Sequence, residues 1–464
     1  APTTTPAPTT TPAPTTTTLP PTTTVAPTTT PAAGPKSCAD LEPEDIAAAL
    51  TVKTVKLPGA LSSQCPGFRI GMSCRHAFYA ALPNNDGAHA LLFNDGDKNA
   101  VVVLFDSESN IVSTKVIGSE KVRGLKFEPS GAHLVALVSG GTAVYMSPSY
   151  FVKMEVPSLN IVWTKPVDGK RVGLEKWTPD NTDTIAVSET RYVLHSSGNC
   201  REGQWCAGHQ GDTLQVVDAV TGEQLKDEGR EWSASHSCKQ MIGFNPDSDT
   251  FIYANAGDAY PKDLQFNKFA NGNTKKNTAA FKSWGKNGGY QGITQGAIKG
   301  DPWSPGFATV WSYGMDNSDE NSPDNLDKLY FATLSKDGEF VVQPKKVFPN
   351  APGTEIGGNI AALSQGKWLV AYNEAPKDVI KNYLRIFFDG WGVPNDIRAG
   401  GGRLAIVDGN GEVRGEPVDV AALGAPFPVE ISHLVERPDG VGWIYMDGPG
   451  RDTVKVAHLR CSRP

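Results

Sequence analysis

Short stretches in which apolar and polar residues alternate recur through most of the chain, and turn residues separate them. A typical copy is FYAALPNNDGAHALLF, in which an alternating strand leads through a turn into a second, more apolar strand. Each copy therefore predicts a β-hairpin. Seven copies occur, centred on Pro83, Pro129, Pro179, Pro246, Pro305, Ser364 and Pro438.

A second kind of hairpin lies between these copies. It is clearest at Asp212–Asp227, Lys328–Gln343 and Gly402–Val418, where Thr-Gly, Asp-Gly and Asn-Gly supply the turn residues. Two hairpins per unit make four strands, and there are seven units. The chain is therefore predicted to be an all-β protein, a seven-bladed β-propeller, from residue 38 to residue 464.

This pattern resembles secreted seven-bladed β-propellers that carry a mucin-like stalk. The resemblance is one of architecture and covers nearly everything from Cys38 onward. The Asp-box of sialidase-like propellers is not present, and neither are the regularly spaced Gly-His and Trp-Asp dipeptides of WD40 repeats. The resemblance therefore implies a fold and transfers no functional residue.

A propeller ring closes when one end of the chain completes the last blade. The segment Thr51–Leu57 alternates cleanly, whereas the last blade has only Thr453–Leu459 left after Trp443. We predict that Thr51–Leu57 supplies the missing outer strand. We also expect a disulfide from Cys461 to Cys65 or Cys74 to fasten this closure. The preceding sequence EPEDIAAALT predicts a short helix.

The chain begins with a Thr/Pro-rich tract (residues 1–37) in which the quartet PTTT recurs every six or seven residues. Six residues are two turns of polyproline II, so an extended rod is expected, and its Thr density suits O-glycosylation. Two interpretations stay open: a disordered stalk, or an ordered sugar-coated strand that packs against other copies in a fibre. The predicted glycosylation sites are Thr3, Thr4, Thr5, Thr9, Thr10, Thr11, Thr15, Thr16, Thr17, Thr18, Thr22, Thr23, Thr24, Thr28, Thr29 and Thr30.

Charge, hydropathy and cysteine content indicate the compartment in which the protein is expected. The net charge of −7 does not suit a nucleic-acid binder, and no apolar run is long enough to span a bilayer. Seven cysteines beside such a tract predict a secreted, extracellular protein, and a chain that starts at a processed N-terminus. Three disulfides would leave one thiol, which is either buried and free or joins two molecules.

The segment HSSGNCREGQWCAGHQGD brings possible metal ligands close together in sequence. His195, Cys200, Cys206 and His209 could bind zinc, but in an oxidising compartment a local Cys200–Cys206 disulfide is the favoured interpretation. Trp205 inside that loop is a possible ligand surface or packs on its own loop.

Two acidic segments contain the oxygen ligands that calcium prefers, namely residues 94–99 and 316–327. Neither matches an EF-hand loop, and solvated turns are the alternative. The prediction is therefore of no cofactor, with calcium as a minor possibility.

The polar stretch 258–300 contains three aromatic residues among amides and glycines: Phe281, Trp284 and Tyr290. Such rings cover the C–H faces of sugars while amides bind hydroxyl groups, so they form a possible ligand surface. Contact between subunits is the alternative role of this stretch.

Catalytic motifs are absent from the sequence, and His76, His236 and His433 near strand ends do not by themselves make a site. The predicted function is a non-enzymatic extracellular structural protein: a glycosylated rod and a propeller head in a fibre, sheath or surface coat. Its expected partners are other copies of itself and glycans, with no nucleic acid and no membrane span. The alternatives are a wall-tethered propeller hydrolase or oxidoreductase, and a carbohydrate-binding module.

Overall fold

A computed structural model gives the structure of the protein. By its contacts the chain divides into two units, Ala1–Gly34 and Pro35–Pro464. The residues that the structure describes all belong to the second unit and are 35–61, 77–82, 87–118, 121–139, 149–167, 185–198, 211–232, 241–256, 263–282, 293–313, 328–351, 354–375, 402–427, 433–445 and 452–463.

The described chain begins with short elements that lead into a first strand. A 3-10 turn at Pro43–Asp45 continues into the one-turn helix α1 (Ile46–Ala49), and then into strand β1 (Leu50–Lys56). The proline stands at the start of the turn, where its missing N–H costs no hydrogen bond. The short helix expected from EPEDIAAALT is therefore present.

All other described strands, together with β1, form seven antiparallel sheets of four strands, which we call blades 1 to 7. Blade 1 comprises β2 (Ala77–Ala81), β3 (His89–Asn94), β4 (Ala100–Phe105) and β5 (Ile111–Gly118). Blade 2 comprises β6 (Lys121–Phe127), β7 (His133–Ser139), β8 (Ser149–Glu155) and β9 (Ile161–Val167). Blade 3 comprises β10 (Ile185–Val187), β11 (Arg191–Gly198), β12 (Gly211–Asp218) and β13 (Gln224–Trp232).

The remaining blades follow in the same order along the chain. Blade 4 comprises β14 (Met241–Asn245), β15 (Thr250–Ala256), β16 (Asp263–Ala270) and β17 (Asn273–Lys282). Blade 5 comprises β18 (Ile293–Gly300), β19 (Phe307–Tyr313), β20 (Lys328–Leu334) and β21 (Phe340–Lys346). Blade 6 comprises β22 (Thr354–Ser364), β23 (Lys367–Ala375), β24 (Gly402–Asp408) and β25 (Val413–Asp419). Blade 7 comprises β26 (Val435–Arg437), β27 (Gly440–Tyr445), β28 (Thr453–Arg460) and β1.

The blades form a closed ring. The first strand of each blade contacts the first strand of the next, and β26 contacts β2, so these seven strands are the innermost ones. Each pair of neighbouring blades encloses one hydrophobic cluster, including the pair of blade 7 and blade 1. The predicted seven-bladed β-propeller is thus confirmed.

The position of a strand within its blade explains its sequence pattern. Every residue of β4 is buried, because this inner strand is covered on both faces by neighbouring blades. The fourth strand of the same blade, β5, alternates between exposed and half-buried residues, since it lies at the rim of the ring.

Six of the seven repeated hairpins form the first and second strands of their blades, as expected. The copy around Pro179 differs. Its apolar second half, Ile185–Val187, is the first strand of blade 3, not the second, and pairs with β11. The first half of this copy, including Pro179, lies outside the described residues. The misassignment arose because β10 is an apolar run of only three residues, and a short apolar run does not reveal its place in a sheet.

The two ends of the chain meet in blade 7. Strand β1 pairs antiparallel with β28, from Leu50 opposite Leu459 to Lys56 opposite Thr453. Because β28 also pairs with β27, β1 is the fourth, outermost strand of the last blade. This is the place in the sheet that the sequence assigned to Thr51–Leu57.

The disulfide at this closure joins Cys461 to Cys38. The expected partners, Cys65 and Cys74, were the wrong ones. Residues 36–38 lie alongside residues 461–462, with a parallel bridge between Ser37 and Ser462, and this places the Cα atoms of Cys38 and Cys461 4.9 Å apart. Cys65, Cys74, Cys200 and Cys206 lie outside the described residues.

Candidate functional site

The connections between strands differ between the two ends of the propeller. In an antiparallel blade, the links from first to second strand and from third to fourth strand lie at one end, which we call the turn end. At the turn end the links are tight turns such as Ser335–Glu339. The connections at the opposite end include long ones, such as residues 376–401 between β23 and β24. Cys38 is bonded to the residue that follows β28, a third strand, so the chain enters the propeller at the turn end.

The point of entry is held by contacts to the end of the chain. The N–H of Cys38 donates to the carbonyl of Ser462 (2.9 Å), and the N–H of Ser462 donates to the carbonyl of Lys36 (2.9 Å). The ammonium of Lys36 pairs with Asp45 at 2.6 Å. Both half-cystines are fully buried, so the disulfide is shielded from solvent.

Lys367 fastens the segment after Cys38 onto blade 6. Its ammonium donates to the carbonyls of Ala39 (2.9 Å) and Leu41 (2.5 Å) and lies 3.3 Å from the carboxylate of Glu42. Leu41 packs in the cluster between blades 6 and 7, together with Ile46 and the disulfide. The segment is therefore part of the folded propeller rather than a free leader.

Neighbouring blades are joined at the turn end by a recurring lysine contact. A lysine on the fourth strand of one blade reaches the turn between third and fourth strands of the next blade. The pairs are Lys53 with the carbonyl of Glu108 (2.5 Å), Lys165 with Glu223 (2.5 Å), Lys275 with Glu339 (3.9 Å) and Lys345 with Glu412 (2.6 Å). Exposed ion pairs of this kind contribute about 0.2–1 kcal/mol each.

The sequence contains a signal for these contacts that the strand and turn pattern alone did not reveal. Three of the turns end in Gly-Glu, at Gly222-Glu223, Gly338-Glu339 and Gly411-Glu412. All three glycines have positive φ, which accounts for Gly in the turn. The glutamate after each glycine is the residue that meets the lysine of the preceding blade.

A buried charged cluster joins blade 7 to blade 1. The guanidinium of Arg437, fully buried, donates to the Ser107 carbonyl (2.6 Å) and to Nδ1 of His89 (3.0 Å), and lies 3.3 Å from Asp439. Burial, and then the charge of Arg437, lowers the pKa of His89 to about 3, so the ring is neutral and accepts this hydrogen bond. Burial alone would raise the pKa of Asp439, but hydrogen bonding to His458 and the charge of Arg437 hold it well below its usual range.

A second buried cluster, centred on Glu128, joins blade 2 to blade 3. Its carboxylate accepts from the Tyr192 hydroxyl, the Lys153 ammonium (2.9 Å) and Nδ1 of His133 (2.6 Å). Lys153 also donates to the carbonyl of Ala219 at 3.0 Å. Burial and the bond to Glu128 raise the pKa of Tyr192 above its usual value. Both clusters use their hydrogen bonds for contacts between blades.

Among the described residues, Glu355 is a strongly perturbed carboxyl group at the opposite end. It is fully buried at the start of β22, and it accepts from the N–H of Leu329 at 2.7 Å. The ammonium of Lys328 lies 3.5 Å away and donates to the Ala351 carbonyl at 2.6 Å. Burial raises the pKa of Glu355 to about 7, despite these contacts.

The rim of the ring exposes apolar side chains on three neighbouring blades, 7, 1 and 2, and at Val341 of blade 5. The strands β5 and β9 both begin with the pattern Ile-Val-x-Thr-Lys. Exposed β-branched residues on a rim strand, with one edge unpaired among the described residues, suit contact with another β-rich surface. On blades 7, 1 and 2 these residues are Val52, Ile111, Val112, Val116, Ile161 and Val162.

The aromatic ligand surface expected from the sequence is only partly described. Phe281 is half-buried on β17, and its ring packs against Trp311 (5.3 Å between centroids) and Tyr330 (4.9 Å). It therefore belongs to the packing between blades 4 and 5. Trp205, Trp284 and Tyr290 lie outside the described residues, as do His76, His209 and His236.

The residues predicted as possible metal ligands are also only partly described. The residues at 316–327 lie outside the described part of the chain. At residues 94–99, Asp95 accepts from the N–H groups of Asp97 (3.0 Å) and Asn99 (2.7 Å), as in a tight turn. His195 is buried, and its Nδ1 donates to the Met241 carbonyl at 3.3 Å. Within the described residues, no three His, Cys, Asp or Glu side chains are grouped to hold a metal ion.

His433, the described member of the three histidines near strand ends, is buried beside β26. Its Nδ1 lies 3.2 Å from the amide nitrogen of Asn359, and the side-chain oxygen of Asn359 accepts from the N–H of Leu434. This contact joins blade 6 to blade 7.

Among the described residues, no helix is long and apolar enough to cross a membrane.

No protein family and no curated protein sequence matches the chain. The WD40 domain of Toxoplasma gondii coronin is similar at 9% identity and a TM-score of 0.46, over 88% of this chain and 86% of that one. The Dos1 propeller is similar at 8% identity and a TM-score of 0.44, over 86% and 96%. A quinoprotein alcohol dehydrogenase-like protein from Bacteroides thetaiotaomicron is similar at 10% identity and a TM-score of 0.41, over 75% and 67%. The seven four-stranded sheets of the chain itself show that it is a seven-bladed β-propeller.

Proposed function

We propose that this protein is an extracellular structural protein, in which the glycosylated Thr/Pro-rich tract is a rod and the propeller is a head. Copies assemble into a fibre, sheath or surface coat when the rod of one molecule docks on the head of another. The proposal makes other copies of the chain and their glycans the principal partners.

The observation that carries this proposal is the covalent anchorage at the base of the tract. A passive leader needs no disulfide, yet the first residues after the tract are bonded to the end of the chain through Cys38–Cys461. A buried disulfide suits an oxidising compartment outside the cell. A tether that holds molecules together requires such a firm origin.

The composition of the tract supports the rod. It contains 16 threonines within its first 30 residues and no charged residue before Lys36, so it lacks the apolar content to build a core. Dense glycans on threonine would stiffen an extended chain. The exposed β-branched residues at the rim of blades 7, 1 and 2 offer an apolar surface on the head for contacts between copies.

Electron microscopy and intact-mass measurement of the protein from its native host test the proposal. We expect ordered fibres or sheets and a mass excess that maps to the tract after proteolysis. A variant that lacks residues 1–34 should remain a folded, monodisperse propeller. A matched control with the same tract composition in shuffled order tests whether the six-residue period matters. Single particles with an unmodified N-terminal peptide would refute the proposal.

A further inference from the structure

Blade 7 lacks the link that all other blades have between third and fourth strands. In blades 1 to 6 a turn at the turn end joins these strands, as Asp106–Asn110 does between β4 and β5. In blade 7 the third strand, β28, ends at Arg460, and the fourth strand, β1, begins at Leu50. The two strands come from opposite ends of the chain, so no turn can join them.

The disulfide stands at the place of this missing turn. Cys461 follows β28 directly, and Cys38 precedes β1 by the short segment that contains α1. That segment packs at the turn end: a Cβ on Gly415 of blade 6 would come within 3.0 Å of Pro43. The covalent link Cys38–Cys461 therefore closes blade 7 at the end where a turn closes every other blade.

We infer that Cys38–Cys461 is a mechanical attachment, which passes tension from the tract into β28 and keeps that tension off β1. The inference rests on the proposed function, in which the tract links one copy to another. It gives the disulfide a mechanical role beyond closing the ring.

The direction of pairing shows what would happen without the disulfide. Tension on the tract would reach β1 at Leu50, the end of the strand that is paired with Leu459. In an antiparallel pair pulled from one end, each pair of residues bears the whole force in turn, so the strand peels off stepwise. Only β28 holds β1 in the sheet, because β1 is the edge strand.

With the disulfide in place, tension enters at Cys461 instead. β28 is hydrogen-bonded to β27 on one side and to β1 on the other, and Val456, Ala457 and Leu459 are buried. Moving this strand means disrupting two ladders and the core between blades together. The force is thus transferred from an edge strand to an interior one.

Single-molecule pulling on the full chain tests the inference. One handle precedes Ala1, and the other is a clickable amino acid in place of the exposed Lys336 in a turn of blade 5. In the double variant Cys38→Ser/Cys461→Ser we expect an early extension step that frees residues 38–56, roughly 65 Å of chain at ~3.4 Å per residue. The oxidised wild-type protein should lack this step, while steps that arise at the handle are common to both.

A second variant keeps the test decisive if the cysteine variant does not fold. Val52→Gly weakens β1 at an exposed position and leaves the disulfide intact. Because tension enters at Cys461 and bypasses β1, this variant should still lack the early step that frees residues 38–56. An early step of that length in the oxidised wild type, or in oxidised Val52→Gly, would overturn the inference. Because each molecule is pulled alone, these results are independent of whether copies form fibres.

Discussion

Replacing Glu355 with glutamine should make the propeller more stable at alkaline pH and leave it unchanged in acid. The carboxyl group is fully buried between blades 5 and 6, and its contacts with Leu329 and Lys328 do not offset the loss of solvation. Glutamine has nearly the same shape, and its side-chain oxygen can still accept from the Leu329 N–H. The substitution thus removes a charge and little else.

The magnitude follows from the shift in pKa. The pKa of Glu355 rises from 4.5 to about 7 on folding, mainly through burial. The folded protein therefore binds more protons than the unfolded chain between these values. Stability from this group is fully present below pH 4.5 and is lost as pH rises through 7. At 1.36 kcal/mol per pKa unit, the loss is about 3 kcal/mol at pH 8.

Urea unfolding followed by tryptophan fluorescence, at pH 4.5 and pH 8, measures the effect. We expect Glu355→Gln to equal the wild type at pH 4.5 and to exceed it by about 3 kcal/mol in free energy of unfolding at pH 8. The control Glu374→Gln removes a carboxylate that is partly exposed and paired with Arg403 at 2.6 Å. It should change stability by at most ~1 kcal/mol at either pH. An equal effect of Glu355→Gln at both pH values would refute the reasoning.

Three further predictions concern the closure of the ring. Arg437→Ala should lower the free energy of unfolding by about 3–5 kcal/mol, since it removes a buried charge with several partners, whereas the exposed Arg414→Ala should cost less than ~1 kcal/mol. Gly440→Ala should be poorly tolerated, because its Cβ would overlap the carbonyl oxygen of Leu459. In Gly366→Ala, also at positive φ, the added Cβ meets nothing within 4 Å, and thermal melting compares the two variants. Cys38→Ser should lower stability by about 2–4 kcal/mol in chemical denaturation, and an unchanged midpoint would contradict a closing role for the disulfide.

The periodic pattern of the sequence was sufficient for the fold class. Alternating segments and Gly-containing turns identified seven units of four strands, because a strand with one buried face must repeat every two residues. The pattern failed at Pro179, where the first strand of blade 3 is an apolar run of three residues, Ile185–Val187, which is too short to show a period of two. It also identified the tract, since a run of threonine and proline with only two large apolar residues, Leu19 and Val25, has too little apolar surface to form a core.

Tertiary structure decided the partners of residues that lie far apart in the chain. The bond of Cys461 to Cys38 spans 423 residues, and the contact of Arg437 with His89 spans 348; both exist only because the ring closes. Sequence spacing favoured nearer cysteines, since it contains no information on where two chain ends meet. The pKa of Glu355 likewise follows from burial between two blades, which no local pattern reveals. The sequence by itself determined the repeating strands and the Thr/Pro-rich composition of the tract, because these depend on local residue type. The seams between blades, and the Cys38–Cys461 closure, depend on which surfaces the closed ring brings together.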